Sequence, residues 1–440
     1  MSSLSPAVAA SSVSTTPQNT INIGMIGLGT VGTGTVKLIQ RQSHLALKAI
    51  AVRDAGKDRG INGLDTSIVT TDSMSVATHP DIHILIEVAG GIDEAKALIE
   101  AALNAGKHVV TANKALIAQH GPELFALAKV NKVAILFEAA VAGGIPILMP
   151  LKMCLAANKI QEIAGILNGT TNYMLTRMMK DGWTYQDALD KAQALGYAEA
   201  DPTSDVEGVD AAYKIAILTG LATNQWVNVD DMTIEGITKI TPQDIDYAKR
   251  FGFAIRLVAL ARLEGDKPDV RVHPMLVSGD HPLATVDNEY NAIWVKGDAV
   301  GDAMFYGKGA GELPTASSVM GDVLALASDL KAGNVHVAVA MEVALQGASA
   351  VHPIGETMNR YYIRLTTSDE PGVLAKLGDA FGVEQVSLES FLQLPSDKSK
   401  GEASLMIVTH EAQEAKVQRA LAQIGKMPAT RDVACVLRVL

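Results

Sequence analysis

INIGMIGLGTVGTGTVKLIQRQ, residues 21–42, decides the fold. Ile21 to Ile26 read as a buried strand, and VGTGTVKLIQRQ reads as a helix. Between them lies Gly27-Leu28-Gly29-Thr30-Val31-Gly32. This glycine spacing alone is a weak signal; a strand before it and a helix after it make it a dinucleotide-binding turn. Gly27 allows the tight turn, Gly29 lets backbone approach a pyrophosphate, and Gly32 permits close helix–strand packing. Amide groups at the helix start then face the anion.

Working outward, LALKAIAV is a second strand ending at Val52. An acidic residue at this strand end holds the ribose 2′-hydroxyl of NAD. Here Arg53 comes first, then Asp54, with Lys57 and Arg59 close behind. That cationic cluster suits the 2′-phosphate of NADP, and Asp54 keeps NAD open. DIHILIEVAGG is a buried strand ending near Val88 and Gly90, followed by a helix from Asp93 to Ala105. The strand HVVTAN leads to Lys114. Carboxyl ends of strands line the ligand crevice of open α/β sheets, which sets Asn113 and Lys114 beside the nicotinamide. A helix is predicted from Pro122 to Val130. VAILFEAAVAGGIPIL then begins as a strand and bends from Glu138 to Ile145. Such a bend either ligates a hard cation through backbone oxygens or is a plain crossover between domains.

The 440 residues provide for two or three domains. Hydrophobic content of 48% with only 4% aromatics fits an α/β chain with buried parallel strands. A formal charge of −11 without a basic stripe argues against a nucleic-acid role. Cys154 and Cys435 lack metal-ligand spacing and no disulfide framework is indicated, which suits the cytoplasm. No apolar run reaches membrane-spanning length. Residues 1–20, uncharged and rich in Ser, Thr and Ala, read as a disordered tail.

In the second half, a helix is predicted from Pro150 to Asn158, with Cys154 packed inside it, and a strand from Ile160 to Leu167. Asn168-Gly169-Thr170-Thr171-Asn172 opens another helix, as a ligand contact or as an N-cap with its turn. The densest acidic run follows: ALGYAEADPTSDVEGVDAAYK, residues 194–214. Its Gly and Pro residues predict mostly loop until a helix starts at Val209. Asp210 and Lys214, four apart, share one face of that helix. Spacing alone leaves an ordinary surface ion pair and a proton-transfer group equally open. FAIRLVALARLE and PDVRVHPMLV predict a sheet in the same domain. Gly309 and Gly311 precede a periodic helix opened by Pro314-Thr315, placed back on the first domain. From Asn359 the order is βαββαβ, a compact unit of about 80 residues without a catalytic constellation.

These motifs carry a family resemblance. Gly196-Tyr197, the run Asp201 to Asp210, and Lys214 resemble the signature of homoserine dehydrogenases. GLGTVG, EVAGG, TANK, EAAVAGGIPI, NGTTNY and GAGELPTASSV match the family's motifs in the family's order, and TSDEPGVLA resembles the turn of an ACT domain. The resemblance covers nearly everything after residue 20 and points to a monofunctional enzyme. It implies a Rossmann NAD(P)-binding domain (21–149 plus 309–340), an α+β catalytic and dimerisation domain (150–308) and a C-terminal ACT domain (359–440). It implies NAD(P)H-dependent interconversion of L-aspartate 4-semialdehyde and L-homoserine, in the biosynthesis of threonine, methionine and isoleucine. Lys114 and Lys214 would be the catalytic lysines, with Asp210 beside Lys214, and Glu199, Asp205 and Lys214 would hold substrate. Gly27, Leu28, Gly29, Thr30, Val31, Gly32, Arg53, Lys57, Val88, Gly90, Lys114 and Gly311 would hold NADP, with NAD the alternative. Backbone oxygens of Glu138, Val141, Gly143 and Ile145 would bind a sodium ion. The ACT domain implies feedback, with threonine the expected effector, and a homodimer or higher homo-oligomer.

Two rivals make distinct demands. An acylating dehydrogenase with Cys154 as nucleophile needs an accessible thiolate in an electropositive pocket. A non-catalytic dinucleotide sensor needs no Asp210, Lys214 or Lys114.

Overall fold

The computed structural model describes residues 20–333, 348–394 and 401–440. The tail before Thr20 and the stretch 334–340 assigned to the first domain lie outside the described residues.

The first sheet is formed by β1 (Ile21–Ile26), β2 (Leu45–Ala51), β3 (Val69–Thr70), β4 (Ile84–Glu87), β5 (His108–Thr111) and β6 (Ile135–Leu136). Its order is β3-β2-β1-β4-β5-β6, with every pairing parallel. This is the dinucleotide-binding order, in which the chain reverses direction across the sheet between β1 and β4. β4 and β5 are buried at every position, as strands covered on both faces must be. Helices α1 (Thr30–Ile39), α2 (Ser73–Thr78), α3 (Asp93–Asn104) and α4 (Lys114–Val130) follow in the crossovers.

Helix α4 starts eight residues earlier than Pro122 predicts. The Asn113 side chain accepts the Leu116 amide at 3.2 Å and caps the start. Pro122 sits inside the helix and cannot donate to the carbonyl of Ala118. The Trp226 indole donates to that carbonyl at 2.8 Å instead, so a distant residue supplies the bond that proline removes.

The second sheet is built from β7 (Ile160–Ile166), β9 (Thr233–Ile234), β10 (Phe253–Arg262), β11 (Asp269–Ser278), β12 (Tyr290–Gly297) and β13 (Gly301–Lys308), while β8 (Trp226–Val227) pairs separately with β14. It continues after β14 (Ala348–Ser349) with β15 (Met358–Ser368), β16 (Leu388–Leu394), β17 (Glu402–Thr409), β18 (Ala412–Gln413) and β19 (Thr430–Val439). The main order is β13-β12-β7-β10-β11-β19-β15-β17-β16. One sheet therefore runs from the middle of the chain into the C-terminal βαββαβ unit. The seam is β19 on β11, parallel, with Met275 opposite Arg438 and Leu276 opposite Val439. The C-terminal unit keeps its own apolar core of Tyr361, Ile363, Leu365, Leu377, Phe381, Leu405 and Ile407, among others.

Helices α5 (Gly169–Asp181), α6 (Tyr185–Ala194), α7 (Thr203–Val206), α8 (Val209–Thr223) and α9 (Pro242–Arg250) belong to the middle region, and α10 (Glu312–Ala332) follows β13. Helix α8 is buried around most of its circumference, from Asp210 to Leu221, as expected of a helix apolar on nearly every face. Helix α10 packs on α1 at Gly34, where a Cβ would lie 2.5 Å from the Glu312 carbonyl oxygen. The helix predicted from Pro150 to Asn158 is a shorter π-helical turn, Pro150–Cys154, and Cys154 is exposed rather than packed. The acidic stretch contains one short helix, α7, whose first turn is closed by Asp201 accepting from the Thr203 amide and hydroxyl. Among the described residues no helix is long and apolar enough to cross a membrane.

Candidate active site

The glycine turn is built as its three glycines predict, each for a separate steric reason. Gly27 has φ +98°, and a Cβ there would come within 2.6 Å of the Ala89 amide nitrogen. A Cβ on Gly32 would lie 2.4 Å from the Gly27 oxygen. Gly29 faces open space, with nothing within 4 Å. Gly29 also starts α1 without a side-chain cap, so the first amides of α1 are left to a ligand. Beside this turn, Arg59 donates to the carbonyls of Leu28 (3.1 Å), Lys57 (2.7 Å) and Asp54 (2.8 Å). Arg59 thereby straps the Arg53–Arg59 loop to the glycine turn. Arg53 and Lys57 are exposed, and their charged ends meet no carboxylate among the described residues.

A cleft of about 1130 Å³ opens from this turn toward the second sheet. Thr30, Val31, Ala112, Lys114 and Gly311 line its cofactor side, and Glu199, Asp205, Asp210 and Lys214 line the other. Val88 and Gly90 lie in the β4 loop, which the buried Glu87 carboxylate holds by accepting from the amides of Ala89 and Gly90 and the hydroxyl of Thr111. Glu87 opens the EVAGG motif at the end of an otherwise apolar strand, and its role is to hold this loop.

At the floor of the cleft one carboxylate gathers two lysines. Asp210 receives the Lys214 ammonium at 2.6 Å on one oxygen and the Lys114 ammonium at 3.0 Å on the other. Lys214 also donates to the Leu167 carbonyl at 2.6 Å. Lys214 comes from the buried core of α8, whereas Lys114 opens α4 and keeps 40% of its side chain exposed. The two ammonium groups are pushed apart in acidity. Burial lowers Lys214 below the usual lysine range, with Asp210 opposing and Lys114 reinforcing. Asp210 raises Lys114 against the smaller effect of burial. Burial opposes ionisation of Asp210, but the two lysines and the hydrogen bonds from Lys214 and Asn168 outweigh it and hold the acid far below the usual range. Environments that separate two like groups in this way mark acid–base chemistry.

Asn168 is the member the motif reading left undecided. Its side chain caps α5 by accepting the Thr171 amide at 2.9 Å. Its amide nitrogen donates to Asp205 at 2.7 Å and to Asp210 at 2.8 Å. One residue is thus both N-cap and bridge between two site carboxylates. Burial, reinforced by the charge of Asp210, raises Asp205 above the usual carboxylate range, against the bond from Asn168. Glu199 is exposed on the cleft wall, and its negative charge helps to raise Lys114. Asn291 was not foreseen; it lines the cleft, is 1% exposed, and its side-chain oxygen has no partner.

The bend after β6 contains two successive residues with positive φ, Ala142 at 54° and Gly143 at 46°. The Glu138 carboxylate accepts the amides of Ile147 (2.6 Å), Leu148 (2.8 Å) and Met149 (2.8 Å). Asp322 of α10 accepts the Glu138 amide at 2.9 Å, and burial together with the Glu138 charge raises its pKa well above the usual range. Neither carboxylate has a basic partner among the described residues. The Gly143 carbonyl accepts from Ser318 at 2.6 Å. No group of three or more His, Cys, Asp or Glu side chains suited to a metal occurs among the described residues.

A dinucleotide turn facing a lysine–carboxylate centre across one cleft defines an NAD(P)-dependent oxidoreductase. The family model "Homoserine dehydrogenase" matches residues 146–324, and "Homoserine dehydrogenase, NAD binding domain" matches residues 27–138. The homoserine dehydrogenase of Synechocystis is 43% identical over 434 residues, 96% of this chain and all of its own. That of Bacillus subtilis is 41% identical over 95% of this chain and 98% of its own. A crystal structure of a homoserine dehydrogenase from Thiobacillus denitrificans superposes with a TM-score of 0.88 at 37% identity, covering 96% of this chain and 98% of that one. A hyperthermophilic archaeal homoserine dehydrogenase in complex with NADPH aligns with a TM-score of 0.60 at 29% identity, over 69% of this chain and 97% of that one. The chain belongs to the homoserine dehydrogenase family. Its fold class, its nicotinamide cofactor and its small-molecule chemistry follow from that membership.

Proposed function

We propose that Lys214 is the proton donor in the reduction of L-aspartate 4-semialdehyde to L-homoserine, with Asp210 orienting it and Lys114 stabilising the developing alkoxide. The single observation that carries this reading is the Asp210 carboxylate shared by Lys214 and Lys114 at the cleft floor. The bound dinucleotide supplies hydride to the aldehyde carbon. Lys214 gives its proton to the carbonyl oxygen, directly or through a water, and takes one back in the reverse reaction. Lys114, more exposed and held protonated by Asp210, presents a fixed positive charge at that oxygen. Glu199 and Asp205 offer negative charge to the substrate ammonium. Cys154 does not line the cleft, so an acylating mechanism has no nucleophile there. The direct test is oxidation of NADPH on addition of aspartate semialdehyde. No turnover with either nicotinamide cofactor would overturn the reading.

NADP is the preferred cofactor in this reading, held by residues 27–32, by Val88, Gly90, Lys114 and Gly311, and by the cations Arg53 and Lys57. Arg53→Ala should raise the KM for NADPH roughly tenfold, as expected for loss of one charge-assisted phosphate contact, and leave that for NADH unchanged. Equal effects on both cofactors would remove Arg53 from the 2′-phosphate site.

The bend from Glu138 to Ile145 suits a sodium ion held by the backbone oxygens of Glu138, Val141, Gly143 and Ile145. The buried Glu138 carboxylate, without a basic partner among the described residues, favours a cation close by. The Gly143 carbonyl, already bonded to Ser318, keeps a second lone pair for it. Such an ion would steady the crossover rather than enter the chemistry. We further read the C-terminal βαββαβ unit as an ACT domain that binds threonine and lowers turnover. Its edge strand β16 exposes Phe391 and Leu392, which suits pairing between chains in a homodimer or larger homo-oligomer. The unpaired cysteines suit a cytoplasmic setting. Two measurements address the two ligands: in steady-state assays threonine should depress kcat, and in thermal melts replacing sodium by a bulky organic cation should lower stability. Unchanged kinetics with no heat of threonine binding would remove the effector, and an unchanged melting curve would remove the ion.

A further inference from the structure

The last strand of the chain reaches the active-site helix through one buried arginine. Arg438 on β19 is 5% exposed. Its guanidinium grips Glu414 of the C-terminal unit with two bonds of 2.8 and 2.9 Å, and Tyr361 donates to the same carboxylate at 2.7 Å. A further nitrogen of Arg438 donates to Glu235 at 3.1 Å, on the loop after β9 in the middle region. Glu235 is fixed in turn, because its amide donates to the Val272 carbonyl at 2.8 Å.

From Glu235 to the catalytic helix the path runs chiefly through backbone. Gly236 lies so close to the α7–α8 corner that a Cβ would meet the Val206 oxygen at 2.2 Å and the Glu207 Cα at 2.6 Å. The Ile237 amide donates to that same Val206 oxygen at 2.8 Å. Gly208, at φ +87°, starts α8, and its Cβ position lies 3.5 Å from the Glu235 oxygen. Asp210 is two residues further on. The Gly236–Val206 contact is backbone on backbone, and the Val272 and Ile234 methyl groups pack on Gly208 beside it, so displacement of Glu235 bears on the corner that carries Asp210.

We infer that Arg438 and Glu235 are positioning residues for the reaction: the C-terminal strand sets the placement of Asp210 and Lys214 through the Glu235–Gly236 contact with the α7–α8 corner. The inference rests on the reading of Asp210 and Lys214 as the proton-handling pair. It gives the C-terminal unit a physical route to turnover whatever ligand that unit binds.

Glu235→Gln in the full chain is the informative variant, because Glu235 is 44% exposed and Arg438 keeps Glu414 when it is lost. Its kcat, normalised to the folded fraction, should fall roughly threefold to tenfold, with KM for NADPH within about twofold of wild type. The pH profile of kcat should shift, since the surroundings of Lys214 change. Arg438→Lys, which keeps a charge against Glu235, should fall less in kcat than Arg438→Gln. Wild-type kcat and pH profile in Glu235→Gln overturn the inference, as does a loss of activity that merely follows the folded fraction. Lys214→Ala measured in parallel separates the two readings. Wild-type turnover there sinks the role of α8 itself, whereas an inactive Lys214→Ala beside a wild-type-like Glu235→Gln sinks only the strut.

Discussion

Lys214→Ala should lower kcat for aldehyde reduction by roughly 10²- to 10⁴-fold, the range in which a positioned general acid contributes. The KM for NADPH should change little, because Lys214 sits on α8 across the cleft from the glycine turn. The reason for so large an effect is geometric before it is electrostatic. Lys214 is fixed by two acceptors at 2.6 Å, Asp210 and the Leu167 carbonyl, so its ammonium does not search for the substrate oxygen. Its acidity then suits transfer, because burial lowers its pKa toward working pH. Reduction requires the protonated lysine and homoserine oxidation the neutral one. As pH rises through the pKa of Lys214, reduction should therefore slow and oxidation should quicken. Both limbs should vanish in the alanine variant. Steady-state rates in both directions across pH are the measurement, and near-wild-type turnover in Lys214→Ala would end the assignment.

Asp210→Asn should be nearly as damaging, and it should also cost stability. Asp210 accepts from Lys214, Lys114 and Asn168 at once. An asparagine keeps the shape and removes the charge. Lys214 then loses the strongest influence that opposes burial, so its pKa should fall further and the reduction limb should move to lower pH. Lys114 should lose its elevation for the same reason. We expect kcat to fall by about 10²-fold or more, through lost orientation and lost charge at the alkoxide. Removing one partner of a buried ion pair costs roughly 3–5 kcal/mol. The pH dependence has a definite sign. The folded-state pKa of Asp210 is depressed, so its contribution is fully present above the unfolded aspartate pKa of about 4 and is lost as pH falls below it. The stability gap between wild type and Asp210→Asn should accordingly be widest near neutrality and narrow on acidification. Denaturant unfolding at several pH values measures it; a gap independent of pH would mean that Asp210 is not held ionised by its lysines.

How much of this was legible beforehand depends on the range of the interactions. β1, the glycine turn and α1 are adjacent in the chain, and each glycine has a local steric task. Asp210 and Lys214 are joined by the helix repeat alone. Pro122 argues locally for a helix start, whereas α4 begins at Lys114 because Trp226, far away in sequence, satisfies the carbonyl that makes Pro122 tolerable. At Pro150 composition favours a helix but does not set its kind or length, and the structure has a π-helical turn there. Asn168 could be read as an N-cap from its position, but not as a bridge between Asp205 and Asp210, since both partners arrive from later segments. Arg438 is visible as the one charge in the apolar run VACVLRVL, but its partners Glu414 and Glu235 lie far away in sequence.

The sequence by itself determined that a dinucleotide turn opens the chain, that Asp210 and Lys214 share a helix face, and that a βαββαβ unit closes the chain. Those facts depend on periodicities of two and 3.6 residues and on the shapes of glycine and proline, all expressed within a few residues. Only the tertiary structure decided that Lys114 meets Asp210, that burial lowers Lys214 while Asp210 raises Lys114, and that the last strand touches the loop behind α8. Contact between groups far apart in the chain depends on how the elements pack. Desolvation depends on everything around a group at once, and neither is written in any short stretch of the chain.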